Sequence, residues 1–256
     1  MKAIKSQDHF FLPFWNIFQE GYRNVPRWKG YCDVNPNLPL QTNLEHQNSL
    51  NMVFASALPF LGEPELDRSL LIQASLLHEL GEVDNGDTLY HLKTEEKHLR
   101  ELLSFDRIIT KHFSFFEPWS VKSCRRAYIL QHVVNEGLTF SGHSWAEDML
   151  RNTRKVYLAE GQVFDALERL DYVLYALKAY QKCGDVVILK HVYCNQVKRL
   201  DGYAKTIKGF NKFWTKEVSA AAKQFMRRYA DIPSEREAGG IPAAYAHAVK
   251  KGYMTL

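Results

Sequence analysis

The chain predicts an all-α fold, and three features of the sequence carry that expectation. Apolar residues return at helical spacing in segment after segment. No alternating run is long enough to read as a strand. Proline and glycine stand where the helical patterns break, as at Pro59, Pro64, Pro118 and Gly142. A length of 256 residues suffices to bury a large core as one elaborated domain spanning 1–256, with two domains as the alternative. A composition of 46% hydrophobic and 24% charged residues is that of an ordinary globular protein.

The elements follow in order. Residues 8–20, DHFFLPFWNIFQE, form an aromatic helix candidate directed at the core. Residues 21–45 form a long irregular stretch rich in Asn and Pro, and a loop of that length inside a compact domain is often functional. It holds Arg27 and Trp28, a guanidinium suited to gripping phosphate beside a ring suited to packing on a sugar or base. The plainer alternative is a surface Arg beside an anchoring Trp. A helix starts near Asn43, read as its N-cap, with Glu45 and His46 in the first turn. Pro59 and Pro64 bracket its end. The next helix begins near Asp67 and buries Leu70, Leu71, Ala74, Leu77 and Leu80. Charged helical sequence over 91–116, then segments 119–136 and 143–155, continue the pattern. Residues 161–182 form a long helix, followed by amphipathic helices at 186–208 and 211–230 and a tail of loop and short helix at 231–256.

Chemistry concentrates in LLHELGEVDNGD, Leu76 to Asp87. His78 and Glu79 end the second helix about 100° apart on its wheel, and Glu82 projects from the same side. Gly86 supplies a turn and Asp87 follows it. Imidazole and carboxylates converging on one point suit a divalent metal, and a further carboxylate can serve as acid or base. A solvated helix end is the plain alternative. Two helices joined by a short turn pack antiparallel, which brings His46 at the start of one to His78 at the end of the next. Asp171 sits within the apolar stripe of the long helix, where a carboxylate is costly unless paired or bound to a cation. Neither Arg169 nor Lys178 stands at helical pairing distance from it. His112, His132 and His143 are surface or core residues, or ligands of a second metal.

Other function classes are disfavoured. A net charge of +4 with a pI near 8.7 suits an anionic small molecule and is too weak to point to nucleic acid. No apolar run approaches the roughly 18 residues of a membrane span. Four cysteines without a CxxC pattern fit reduced thiols in a cytoplasmic protein.

Taken together, His46, His78-Glu79 and the distant helical Asp171 resemble the HD-domain metal-dependent phosphohydrolases. More narrowly, DHFF, Arg27-Trp28, Glu45-His46, HELGEVDNGD and LERLDYVLYALKAY resemble the bacterial 5′-deoxyribonucleotidase branch. The resemblance covers roughly residues 8–182, with added helices within 105–155 and a C-terminal helical extension at 186–256. It implies an HD-like helical bundle that binds one divalent transition metal ion, Mn, Co or similar, with Mg as an option. The implied ligands are His46, His78, Glu79 and Asp171. Glu82 and Asp87 are the implied catalytic acids, Arg27 the phosphate-binding residue and Trp28 the ring against the sugar. The implied substrate is a 5′-deoxyribonucleoside monophosphate, and a homodimer is what the family suggests. The alternatives are a dNTP triphosphohydrolase, a binuclear phosphodiesterase or oxygenase using His132 or His143, and a non-catalytic HD-like module that binds a nucleotide or a protein. Position 79 is Glu where the family carries Asp, and its additional methylene reaches further. The spacing from Arg27 to His46 is also longer than the branch usually shows.

Overall fold

The structure, a computed structural model, describes residues 16–62, 65–88, 93–113 and 118–256. Among them nine α-helices reach ten residues or more. They are α1 (Asn43–Ala57), α2 (Arg68–Leu77), α3 (Glu95–Phe113), α4 (Pro118–Leu130), α5 (Ser144–Val156), α6 (Leu158–Cys183), α7 (Val186–Thr206), α8 (Lys216–Arg228) and α9 (Ile241–Lys250). No strand occurs among the described residues, where β pairing is limited to one isolated antiparallel bridge between Pro26 and Thr42. The fold class is all-α, as the periodicity predicts. Most of the aromatic helix expected at 8–20 lies outside the described residues; of the remainder, Ile17–Gly21 forms a single π-helical turn. No described helix is long and apolar enough to cross a membrane.

The chain forms two compact units that alternate along the sequence. The first contains the described residues up to Arg27, then Gln41–Phe54 and Glu65–Asp165. The second contains Trp28–Leu40, Ala55–Pro64 and Ala166–Leu256.

In the first unit α2 is started by Asp67, whose side chain accepts from the Leu70 N–H at 2.9 Å. Leu70, Leu71, Ala74 and Leu77 bury one face of this helix, which packs on α4, and α4 packs in turn on α5. The start of α1 differs from expectation. Thr42, one residue before Asn43, is the cap: its N–H donates to Glu45 Oε2 at 2.6 Å, and its Oγ1 accepts from the Glu45 N–H at 3.4 Å. This is a capping box, in which two otherwise unpaired backbone donors are satisfied reciprocally. Asn43 is left with its side chain available for other work.

In the second unit Asp185 caps α7 through the N–H groups of Val187 and Ile188. Its other oxygen accepts from Asn35 at 2.6 Å and from the Tyr245 hydroxyl at 2.7 Å, tying the 28–40 loop and α9 to one buried carboxylate. The helix expected at 211–230 begins at Lys216, because Thr215 caps it. A short 3₁₀ turn, Phe210–Lys212, precedes it, and its cap Gly209 has φ +89°. There a Cβ would lie 2.2 Å from the Phe60 carbonyl oxygen, so only glycine serves.

Glu235 is a buried carboxyl in this unit, 3.1 Å from His191 Nδ1, and burial raises it to about 7. An acid raised on folding holds its proton longer in the native chain than in the unfolded one. Between its ordinary 4.5 and about 7, stability therefore falls as pH rises. Glu235→Gln is expected to flatten the urea midpoint between pH 5 and 8 and to exceed the wild type at pH 8. An unchanged slope in the variant would contradict this.

Candidate metal centre

His78 and Glu79 reach the interior because α2 ends in a buried place where side chains satisfy its last carbonyls. The final carbonyls of a helix have no partners of their own and are costly to bury bare. Here the Leu76 carbonyl accepts from the Tyr22 hydroxyl at 3.1 Å, and the His78 carbonyl from Gln131 at 3.0 Å. The Ser75 carbonyl accepts from Gln47 and also lies 3.0 Å from His78 Nδ1. That last contact orients the His78 ring. In a neutral ring, a proton on Nδ1 given to the carbonyl leaves the Nε2 lone pair for a cation. Phe164 packs against the same ring at 5.4 Å between centroids.

His46 stands in the first turn of α1 and is fully buried. His46 Nε2 lies 3.3 Å from His78 Nε2 and 3.2 Å from Glu79 Oε1, and His78 Nε2 lies 3.1 Å from the same oxygen. Two imidazole nitrogens and a carboxylate oxygen thus form a nearly equilateral triangle. Metal bonds of about 2.1 Å meeting at about 90–110° place neighbouring donors about 3.0–3.4 Å apart, so the triangle has the edge of a coordination sphere. Its chemistry, two imidazole nitrogens and one carboxylate oxygen, suits a divalent cation. The convergence of His46 and His78 that antiparallel packing predicts is therefore present.

Arg27 joins this cluster. The backbone around it is pinned: its N–H donates to the Gln41 carbonyl at 2.8 Å, and the Asn43 N–H to the Val25 carbonyl at 2.9 Å. Its Nη1 lies 2.5 Å from Glu79 Oε1, with the side chains 7% and 5% exposed. Asn43, freed from capping, accepts from Arg27 at 3.5 Å and donates to Glu82 Oε2 at 3.0 Å. The sequence reading missed this bridging role, although a capping box at Thr42-x-x-Glu45 is visible in the sequence and would have released Asn43.

The two glutamates are driven apart in acidity. Burial raises both. At Glu79 the charge of Arg27, then that of His78 and the hydrogen bonds from His46 and His78, outweigh burial and hold the carboxyl well below the usual range. At Glu82 burial and the facing charge of Glu79 carry it well above, against the pull of Lys93. Carboxyls separated in this way are a mark of acid and base roles. Glu82 sits in the 3₁₀ turn Leu80–Val83, against which α3 packs. Gly81 in that turn is required, since a Cβ there would lie 2.3 Å from the Glu101 carbonyl oxygen.

Asp87 follows Gly86, which turns the chain at φ +73°, and it is half-buried in the first unit. Its charge acts on Glu82 and Glu101. Trp28 belongs to the second unit, is 8% exposed and adopts a left-handed backbone with φ 58°. Its ring is stacked on Tyr175 at 5.0 Å and 7°. A non-glycine residue held there costs about 1–2 kcal/mol, which the surrounding aromatic packing must offset. Asp171 is buried on α6, also in the second unit. His132 packs against His98, 5.3 Å between rings, and burial keeps both neutral, with His98 lowered to about 4. His143 precedes α5, and His112 lies near the end of α3.

No family model matches the chain, and no curated protein matches it. A search of solved structures finds it similar to the crystal structure of a predicted metal-dependent phosphohydrolase from Magnetospirillum magnetotacticum MS-1. That likeness covers 100% of both chains at 13% sequence identity, with a TM-score of 0.45.

Proposed function

We propose that the protein is a divalent-metal-dependent phosphohydrolase acting on a nucleotide, most simply a 5′-deoxyribonucleoside monophosphate. The observation that carries this reading is the buried triangle of His46 Nε2, His78 Nε2 and Glu79 Oε1 with a guanidinium at its edge. These three residues would hold the cation, Mn, Co, Mg or similar, and we propose Asp171 as its further ligand, as the family resemblance implies. A divalent cation in such a site supplies an acidified water and neutralises charge on the phosphoryl oxygens. Arg27 orients the phosphate, Glu82 acts on the attacking water or assists protonation of the leaving oxygen, and Asp87 is a second acid at the substrate. Trp28 sets the sugar preference. A cytoplasmic protein, with a homodimer as the assembly, completes the proposal.

A second reading has one observation in its favour: Arg27 already neutralises Glu79, so the carboxylate is satisfied by protein alone. That is how a non-catalytic nucleotide- or protein-binding module would retain the site.

The test is phosphate release from a panel of dNMPs, NMPs and dNTPs by metal-stripped protein with Mn²⁺, Co²⁺ or Mg²⁺ restored, beside Asp171→Ala. Metal-dependent turnover of dNMPs that is lost in the variant is the expected result. Triphosphate released from dNTPs would move the substrate and keep the site. A purified protein that takes up no metal and releases no phosphate would leave the binding module as the reading.

A further inference from the structure

Behind Glu82 stand a half-buried lysine and a buried glutamate to which the proposed reaction assigns no part. Lys93 Nζ donates to Glu82 Oε1 at 2.6 Å and to Glu101 Oε2 at 3.0 Å. The side chains are 14%, 3% and 6% exposed for Lys93, Glu82 and Glu101. The other oxygen of Glu82 accepts from Asn43. Both carboxyl oxygens of Glu82 are thus held by donors from separate elements, the first residue of α1 and the segment leading into α3. Glu101 comes from α3 itself, brought close by the bare backbone of Gly81. An ammonium has three protons, and two of them are directed at carboxylates, so Lys93 is turned toward protein rather than toward a ligand phosphate. A carboxyl free to rotate can present its oxygens in several directions; one clamped at both oxygens presents them in one.

We propose that Lys93, itself held by Glu101, is a positioning residue that fixes the orientation of the Glu82 carboxyl for proton transfer. The proposal rests on the phosphohydrolase reading above for its consequence, but its geometric content is independent of it. A merely structural ion pair makes a different prediction, because replacing a buried pair by apolar residues of similar size is often neutral or stabilising and would leave turnover intact.

The variant of choice is Lys93→Met with Glu101→Met, which removes the cation and its outer partner together and leaves no lone charge between them. In full-length, metal-loaded protein the double variant is expected to keep its metal stoichiometry and a melting temperature near that of the wild type. Its kcat for a dNMP should fall about 10²-fold, the scale of one positioned proton-transfer group, with KM little changed. Lys93→Arg, which can still reach both carboxyls, should recover part of the loss. Unchanged kcat in the double variant would overturn the proposal, and so would a raised KM at constant kcat, which would make Lys93 a substrate-binding residue. A crystal structure of the double variant decides the same point without any assay. The Glu82 carboxyl is expected to leave its place beside Asn43, and its staying there would refute the positioning role even if the wild type hydrolyses nothing. Failure of the wild type on every substrate would instead count against the function proposed above.

Discussion

His78→Ala is expected to abolish metal uptake and to lower phosphate release on the order of 10³-fold or more, a loss on the scale expected for residues that act as one catalytic unit. The imidazole supplies one corner of the triangle, 3.3 Å from His46 Nε2 and 3.1 Å from Glu79 Oε1. Removing it takes away one of the two imidazole donors proposed for the cation. The ring is also held in place by its Nδ1 contact to the Ser75 carbonyl at 3.0 Å. His78→Gln is the informative companion. It keeps a polar side chain of similar volume, and its loss of metal would separate ligation from packing against Phe164. Calorimetric titration with Mn²⁺ or Co²⁺ reads the first effect and phosphate release the second. Full metal binding by His78→Ala would show that the triangle is not the centre.

Arg27→Met carries the second large effect, and it is one of stability as well as activity. The Arg27–Glu79 pair is buried on both sides, with Oε1 facing the guanidinium at 2.5 Å. Taking away one member of a buried pair strands the other charge, at a cost of about 3–5 kcal/mol. In a protein of this size that is a melting temperature lower by about 6–20 °C. A divalent cation binding the triangle would restore positive charge beside Glu79, so added metal should recover a large part of the loss and do more for the variant than for the wild type. Arg27→Lys should be milder in stability yet still raise KM, because an ammonium lacks the forked geometry that grips phosphate. Differential scanning calorimetry with and without Mn²⁺ tests the first point. A melting temperature unmoved by Arg27→Met would mean that the pair contributes nothing to the native state.

Much of this architecture was legible before any coordinates. Apolar repeats at Leu70, Leu71, Ala74 and Leu77 place α2, and Pro59 and Pro64 bound the connection that makes α1 and α2 neighbours. From that, His46 and His78 had to meet, because a helix start and the next helix end share one end of an antiparallel pair. The N-cap was misplaced by one residue. Asn43 is a good cap by type, but the Thr42–Glu45 box satisfies two donors at once, and a propensity ranking does not weigh reciprocal bonds.

What no sequence pattern contained is how the ends of these elements are satisfied and held. Tyr22, Gln47 and Gln131 come from three distant segments to cap the carbonyls at the end of α2, and without them His78 and Glu79 could not end a helix in the interior. Lys93 and Glu101 lie in the charged sequence 91–116, where Lys93 is at most a candidate for binding a triphosphate, yet Lys93 bridges Glu82 and Glu101 where Gly81 lets α3 approach. Periodicity and short connections act over a few residues, so they were enough to place the described long helices and to bring His46 towards His78. The contact that orients the His78 ring, the partner of Arg27 and the clamp on Glu82 were not in any such pattern. Those depend on contacts between residues far apart in the chain, where a hydrogen bond gained or lost is settled by burial and not by local preference.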